Sequence, residues 1–172
     1  SLITSFCISD DLQSLFKESD LRFKFYFSNR DRRGNLWEDG RYRYLQNLDY
    51  SFGVPEMMLI EAESLARNND SKALDILNAI RQKRFSEADY QPLTTADGAS
   101  LLDIVLAERR RELCLNSLRW LDMKRLGAEG KYTKTLTRTL NDKTHTLEPN
   151  SKLYVFPIPA QVLGLNHKII PN

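Results

Sequence analysis

The sequence is short of the residues that most metal and nucleophile chemistry needs. Of 172 residues, two are Cys, two are His and seven are Gly. Cys7 and Cys114 form no C-x-x-C pair, and each lies far in sequence from His145 and His167. Structural zinc sites use closely spaced ligands, so these four scattered side chains do not suggest one. Isolated cysteines are more often buried thiols. A disulfide between the two stays open, because spacing alone does not decide it. So few glycines leave little room for a phosphate-cradling loop, and neither G-x-S-x-G nor H-E-x-x-H is present. His145 sits among Thr and Lys in an expected turn, where an exposed, idle imidazole is the simplest reading.

Long apolar runs are missing too. None approaches the roughly 20 residues that a membrane-spanning helix requires. The formal net charge is only +2, too small to argue for nucleic acid or an anionic membrane as partner. The first residues, Ser1-Leu2-Ile3-Thr4, have neither a basic region nor a long apolar core, and there is no initiating Met. They read as the start of an internal piece of a longer protein. What is present is ordinary for a globular chain: 41% hydrophobic and 28% charged residues. The length suits one domain with a real core.

The expected organisation is a single partial domain over residues 1–172. It has a helical core at about 53–127 and flanks at 1–52 and 128–172 that are rich in loops and strands. In the first flank, Ser9-Asp10-Asp11 can cap a short helix through Leu12, Leu15 and Phe16. Leu21 to Phe27 alternates apolar and charged residues, apart from Tyr26, and predicts a strand. A turn follows at Asn29 to Asn35, then a second short strand at Arg41 to Tyr44.

The core reads as helices. Pro55 suits a first helical turn. Beyond it, Met58, Leu59, Ala62, Leu65 and Ala66 share one face. Asn68 to Ser71 breaks that pattern. The next stripe is Ala73, Ile76, Leu77 and Ile80, so two antiparallel helices are expected. After a loop from Phe85 to Gly98, Ser100 and Asp103 resemble a capping box. They open a third helix with a stripe of Leu102, Val105, Leu106 and Leu113. Asn116-Ser117 interrupts it, and a further helical segment ends at Gly127 as a C-cap. In the second flank, Thr135 to Thr146 suggests a hairpin. Tyr154 to Phe156, stopped by Pro157 and Pro159, suggests an edge strand or an extended tail.

Charged residues in the core have two readings each. Glu61 and Glu63 could be a catalytic carboxylate pair, but residues two apart do not share a helix face. The structural reading pairs Glu61, at the border of the stripe, with Arg81. Glu108 with Arg111, Arg109 with Glu112, and Arg119 with Asp122 are all i,i+3 pairs of opposite sign. Such locally neutralised charges make a poor anion site and a good helix-to-helix clamp. Asn78 reads as a hydrogen-bond bridge between helices. Trp120 reads as a packing anchor, with a sugar platform as the alternative. Trp37, Tyr42 and Tyr44 lie among Arg, Asp and Asn, which suits sugar rings with apolar faces and hydroxyl edges. The alternative is a strand pair whose aromatics cover the helices.

Three segments together resemble the SusD/RagB family. The first is Glu56-Met57-Met58-Leu59-Ile60-Glu61-Ala62-Glu63, followed by Ala73-Leu74 and then Leu77-Asn78-Ala79-Ile80-Arg81. The second is Glu108-Arg109-Arg110-Arg111-Glu112-Leu113, then Arg119-Trp120-Leu121-Asp122-Met123-Lys124-Arg125-Leu126-Gly127. The third is Phe156-Pro157-Ile158-Pro159, with Asn166 beyond. The sequence departs from the family pattern at Asn116-Ser117-Leu118 and in the closing Ile170-Pro171-Asn172. The resemblance covers the C-terminal part of such proteins. It implies a mostly α fold of tetratricopeptide-like helix pairs with long loops and a few short strands. It also implies a surface-exposed outer-membrane receptor that is not an enzyme and uses no cofactor. Such a receptor captures glycans or other nutrients for a SusC-like TonB-dependent transporter. It reaches the membrane only through an N-terminal lipid anchor absent from this chain; Cys7 lacks the context of a lipidated Cys. A helical-repeat adaptor with no nutrient role is the rival reading. A piece that keeps only some helix pairs exposes apolar faces, so this chain by itself should be marginally stable or self-associate. Sedimentation of a clean, cooperatively unfolding monomer would contradict that expectation.

Overall fold

A computed structural model describes residues 7–31, 33–38, 40–44, 53–95, 99–166 and 168–170, and the backbone but not the side chain of Tyr44. Ser1 to Thr4, Arg32, Gly98, His167, Pro171 and Asn172 lie outside the described residues. The chain divides into two compact units, residues 1–116 and 117–172. The boundary falls inside the expected helical span of 53–127.

The first unit opens with α1, Asp10–Gln13, capped by Ser9, whose Oγ accepts from the Leu12 amide at 3.3 Å. The segment expected to be a strand is instead α2, Leu21–Tyr26. Only Phe27–Ser28 is extended, as β1, and it pairs antiparallel with β2, Arg43–Tyr44. The correction has a local cause. Asp20 Oδ1 accepts both the Arg22 amide and Arg22 Nε, each at 3.0 Å, the N-cap bonding that opens a helical turn. In a strand, Arg22 would point away from Phe23. The helix turns Arg22 inward beside it.

The centre of this unit is α3, Val54–Arg67, α4, Lys72–Gln82, and α5, Leu101–Glu112. The three pack on one another, with α3 touching both others. Leu59 and Ala62 from α3, Ala73 and Leu77 from α4, and Val105 from α5 are completely buried. These are the stripe positions that helical periodicity picks out. The chain leaves α3 through Asn69 at φ 56°, with Asn69 N–H donating to Ala66 and Asp70 N–H to Leu65. That arrangement satisfies the last carbonyls of α3 and starts the return of α4. Ser100 caps α5, accepting the Asp103 amide at 3.1 Å. A second apolar cluster joins Ile8, Phe27 and Cys114, flanked by Phe16, Phe23 and Tyr42. Both cysteines are free thiols, Cys114 buried and Cys7 exposed.

The second unit begins with α6, Leu118–Ala128. Leu115 and Ser117, both at positive φ, separate it from α5. The expected cap at Gly127 is displaced. Gly127 is helical and buried, and Gly130 at φ +69° is the left-handed residue that ends α6. Gly127 is small for another reason: a Cβ there would sit 2.8 Å from Asn150 Oδ1. The expected hairpin is present as β3, Leu136–Leu140, and β4, Lys143–Leu147. Its turn residues Asn141 and Asp142 are both at positive φ, as a type I′ turn requires. The tail turns through a short 3-10 helix, Lys152–Tyr154, and ends in α7, Ala160–Leu165, which the sequence did not suggest.

Gly127→Ala should lower thermal stability by about 1–3 kcal/mol through that overlap. Adding Asn150→Ala should restore much of the loss, because it removes the atom in the way. Melting curves of the two variants check both outcomes.

Candidate functional site

Two constellations merit a functional reading, and their chemistry differs. The first is ionic and buried. Arg22 from α2 donates through Nη1 to Glu108 Oε1 at 2.7 Å and to Glu112 Oε2 at 2.8 Å, and through Nη2 to Asp20 at 2.7 Å. Arg81 from α4 reaches Glu108 Oε2 at 3.1 Å, and Arg111 reaches the same oxygen at 2.7 Å. Arg84 holds Glu112 Oε1 at 2.5 Å. Asp20, Arg22 and Glu108 are at most 2% exposed. One network therefore ties α2, the end of α4, and α5 together.

Sequence reasoning found Arg81, Glu108 and Glu112 but paired them differently. Glu61 is exposed and is not the partner of Arg81; Glu108 is. The inward positions of α3 go to Ala62 and Glu63, and Glu63 binds Arg67 one turn on at 2.7 Å. Glu112 is taken by Arg22 and Arg84, not by Arg109, although Arg109 is buried too. The pair Glu108 with Arg111 forms as expected. Asp20, Arg22 and Arg84 were missed, because reading Leu21 to Phe27 as a strand hid the capping role of Asp20.

Burial alone would push the Glu108 carboxyl up. Arg22, Arg111 and Arg81 outweigh it and hold it at about 2, against an ordinary 4.5. A carboxylate so low, with both oxygens occupied, neither gives nor takes a proton near neutral pH. Burial pushes the Cys114 thiol up to about 12, so it is no thiolate nucleophile. The network is a clamp by its chemistry.

Asn78 also clamps, but it joins helix to loop rather than helix to helix. Its Oδ1 accepts from the Leu93 amide at 2.7 Å and its Nδ2 donates to the Leu93 carbonyl at 3.3 Å. In the second unit, Trp120 packs on Tyr154, with centroids 4.7 Å apart, and donates Nε1 to the Tyr154 carbonyl at 3.1 Å. The Phe156 ring stacks on Trp120 at 6.0 Å. Asp122 accepts from Arg125 at 2.9 Å, and the Arg119 guanidinium lies over the Tyr132 ring at 5.1 Å.

The second constellation is an open cleft of about 460 Å³ in the first unit. Phe16, Phe23 and Tyr42 form its aromatic floor. The Phe23 and Tyr42 rings lie 4.8 Å apart, and Phe16 and Phe23 5.7 Å apart. Asp10, Gln13, Ser14, Lys17 and Glu18 supply its polar rim. Backbone pairing fixes Tyr42, whose carbonyl accepts the Ile8 amide at 3.0 Å. Of the three aromatics singled out by sequence, Tyr42 alone is placed in this cleft. Trp37 lies elsewhere, with the Arg43 guanidinium over its ring at 4.5 Å. The Tyr44 side chain is outside the described residues. Tyr42 therefore does two jobs, covering the apolar cluster and presenting a ring to solvent.

The clamp sets an acid limit on the fold. A native pKa below the unfolded one means that the unfolded chain binds the proton more readily. The stability that Glu108 contributes is present above about pH 4.5 and is lost as pH falls towards 2. Glu108→Gln should cost about 3–5 kcal/mol at pH 7, since it leaves buried guanidinium groups without their counter-charge. It should also flatten the decline in that acid window. Urea titrations of both forms from pH 7 to pH 2 measure these effects.

Residues 43–172 match the sequence profile of the SusD family. A relative from Formosa agariphila, SusD-like protein P2, is 29% identical over 126 residues. That is 68% of this chain and 24% of the relative. A SusD-like carbohydrate binding protein from Bacteroides vulgatus superposes with a TM-score of 0.59 at 23% identity, over 93% of this chain and 40% of that one. A SusD superfamily protein from Bacteroides fragilis does so with a TM-score of 0.60 at 20% identity, over 94% and 35%. The chain thus spans well under half the length of these relatives. Its fold is the mostly helical, tetratricopeptide-like one they share. With three quarters of its residues inside the profile, the chain belongs to the SusD family.

Proposed function

We propose that this chain is the C-terminal part of a nutrient-binding protein that captures an oligosaccharide. The bound sugar is handed to a SusC-like TonB-dependent transporter. The full-length protein sits on the outer membrane surface by an N-terminal lipid anchor. It binds and does not catalyse. The observation that carries this reading is the Tyr42 cleft in a member of the SusD family. Family membership supports the nutrient-uptake role, and the similarity to a carbohydrate binding protein from Bacteroides vulgatus supports the ligand class. The cleft supplies suitable chemistry. Pyranose rings have apolar C–H faces that stack on aromatics and hydroxyl edges that need partners. Phe23 and Tyr42 offer the faces, and Gln13, Ser14 and the rim charges offer the partners.

Calorimetry on the full-length protein, with an oligosaccharide picked from a glycan array, tests the site. Tyr42→Ala should weaken binding about tenfold, since truncating an aromatic anchor of a binding site costs roughly 1–2 kcal/mol. Trp120→Ala, in the other unit, should leave affinity unchanged. An unaltered affinity for the Tyr42 variant removes the cleft from the site. Failure of the full-length protein to co-purify with a neighbouring transporter removes the proposed partner.

A further inference from the structure

The structure assigns the Tyr42 cleft to neutral oligosaccharides, with Asp10 and Glu18 as the residues that turn anionic ones away. This inference rests on the reading of the cleft as the ligand site. The rim carries two carboxylates, Asp10 and Glu18, against the single cation Lys17. All three are exposed at the cleft mouth. An ionised carboxylate only accepts hydrogen bonds, and sugar hydroxyls are donors it can hold in pairs. The carboxylate of a uronate, or a sulfate group in place of a hydroxyl, has no such proton to give and brings a like charge.

The arginines nearby do not compensate. Among the described residues, none lines the cleft. Arg22 comes near the floor, its guanidinium carbon 5.9 Å from the Phe16 ring centroid. Its terminal nitrogens are spent on Asp20, Glu108 and Glu112. Arg110 is occupied by Asp11 at the outer side of α1. Among the described lining residues, the planar fork that recognises carboxylate and sulfate best is therefore missing. A unit charge about 4 Å from a rim carboxylate meets roughly 1 kcal/mol of repulsion in a watery cleft. Two such carboxylates, offset in part by Lys17, leave about 1 kcal/mol, a discrimination of about fivefold.

A glycan array carrying neutral oligosaccharides beside their uronate- and sulfate-bearing counterparts, probed with the full-length protein, tests this. Binding should concentrate among the neutral members, with each anionic counterpart about fivefold weaker. The double variant Asp10→Asn, Glu18→Gln should narrow that gap, by a gain for the anionic member relative to the neutral one, whatever it costs the neutral member in hydroxyl partners. Both residues are exposed, so the variant should fold as the parent does. Equal or tighter binding of anionic members, or a gap the double variant leaves unchanged, overturns the selectivity. The site itself then still stands on the Tyr42→Ala result. An array with no bound oligosaccharide overturns both.

Discussion

The first unit depends on one buried charge, the Glu108 carboxylate. It sits on α5 with no exposed surface and needs counter-charges from outside its own helix. Arg22 and Arg81 supply them from α2 and α4, so the position of each element is tied to the same two oxygens. A buried ion pair is poor evidence of net stabilisation, because desolvation consumes much of the attraction. Its value is directional. An apolar contact tolerates sliding, whereas the bonds from Arg22 to Asp20, Glu108 and Glu112 fix α2 in position and in rotation. That rotation decides that Phe23 faces Tyr42 and forms the cleft floor. The clamp thus shapes the cleft although none of its carboxylates or guanidinium groups lines it.

Much of the helical core was legible because its signals are local. The stripes on α3 and α4 follow a 3.6-residue period, and Ser100 marks the start of α5 in its own sequence. The pairing of the charges was not legible. A helix with three consecutive arginines offers several i,i+3 partners, and the contest between Arg109, Arg22 and Arg84 for Glu112 is settled by elements far away in sequence. Leu21 to Phe27 misled for the same reason. Its alternation is real, but Asp20 and the arriving carboxylates of α5 reward a helix, and a local pattern cannot count bonds to residue 108. Of the candidate aromatics, Tyr42 was singled out by residue type alone, and it lines the cleft. Phe16 and Phe23 were not, because nothing in the sequence says that α1 and α2 lie beside it.

The second unit is organised differently. It has little buried apolar surface, and Tyr154, Met123 and Leu126 carry much of it. Close approach replaces bulk: Gly127 admits Asn150, and Trp120 holds the tail through a ring contact and a backbone hydrogen bond. The hairpin stands almost wholly in solvent, with Thr137 opposite Thr146 and Thr139 opposite Thr144 on one face. Its register is held by the Asn141-Asp142 turn and the ladder, not by a packed face.

The two thiols offer an experimental handle that comes with the natural sequence. Cys114 is sealed in the aromatic cluster and stays protonated at any ordinary pH. Cys7 is open to water, with Arg43 Nη1 2.8 Å from its sulfur, and its neighbour Ile8 is bonded to the backbone of Tyr42. A maleimide dye would therefore choose Cys7 without any engineered change. It would place a fluorophore one residue from the backbone contact that positions the cleft, where emission reports how open or closed the cleft is to water.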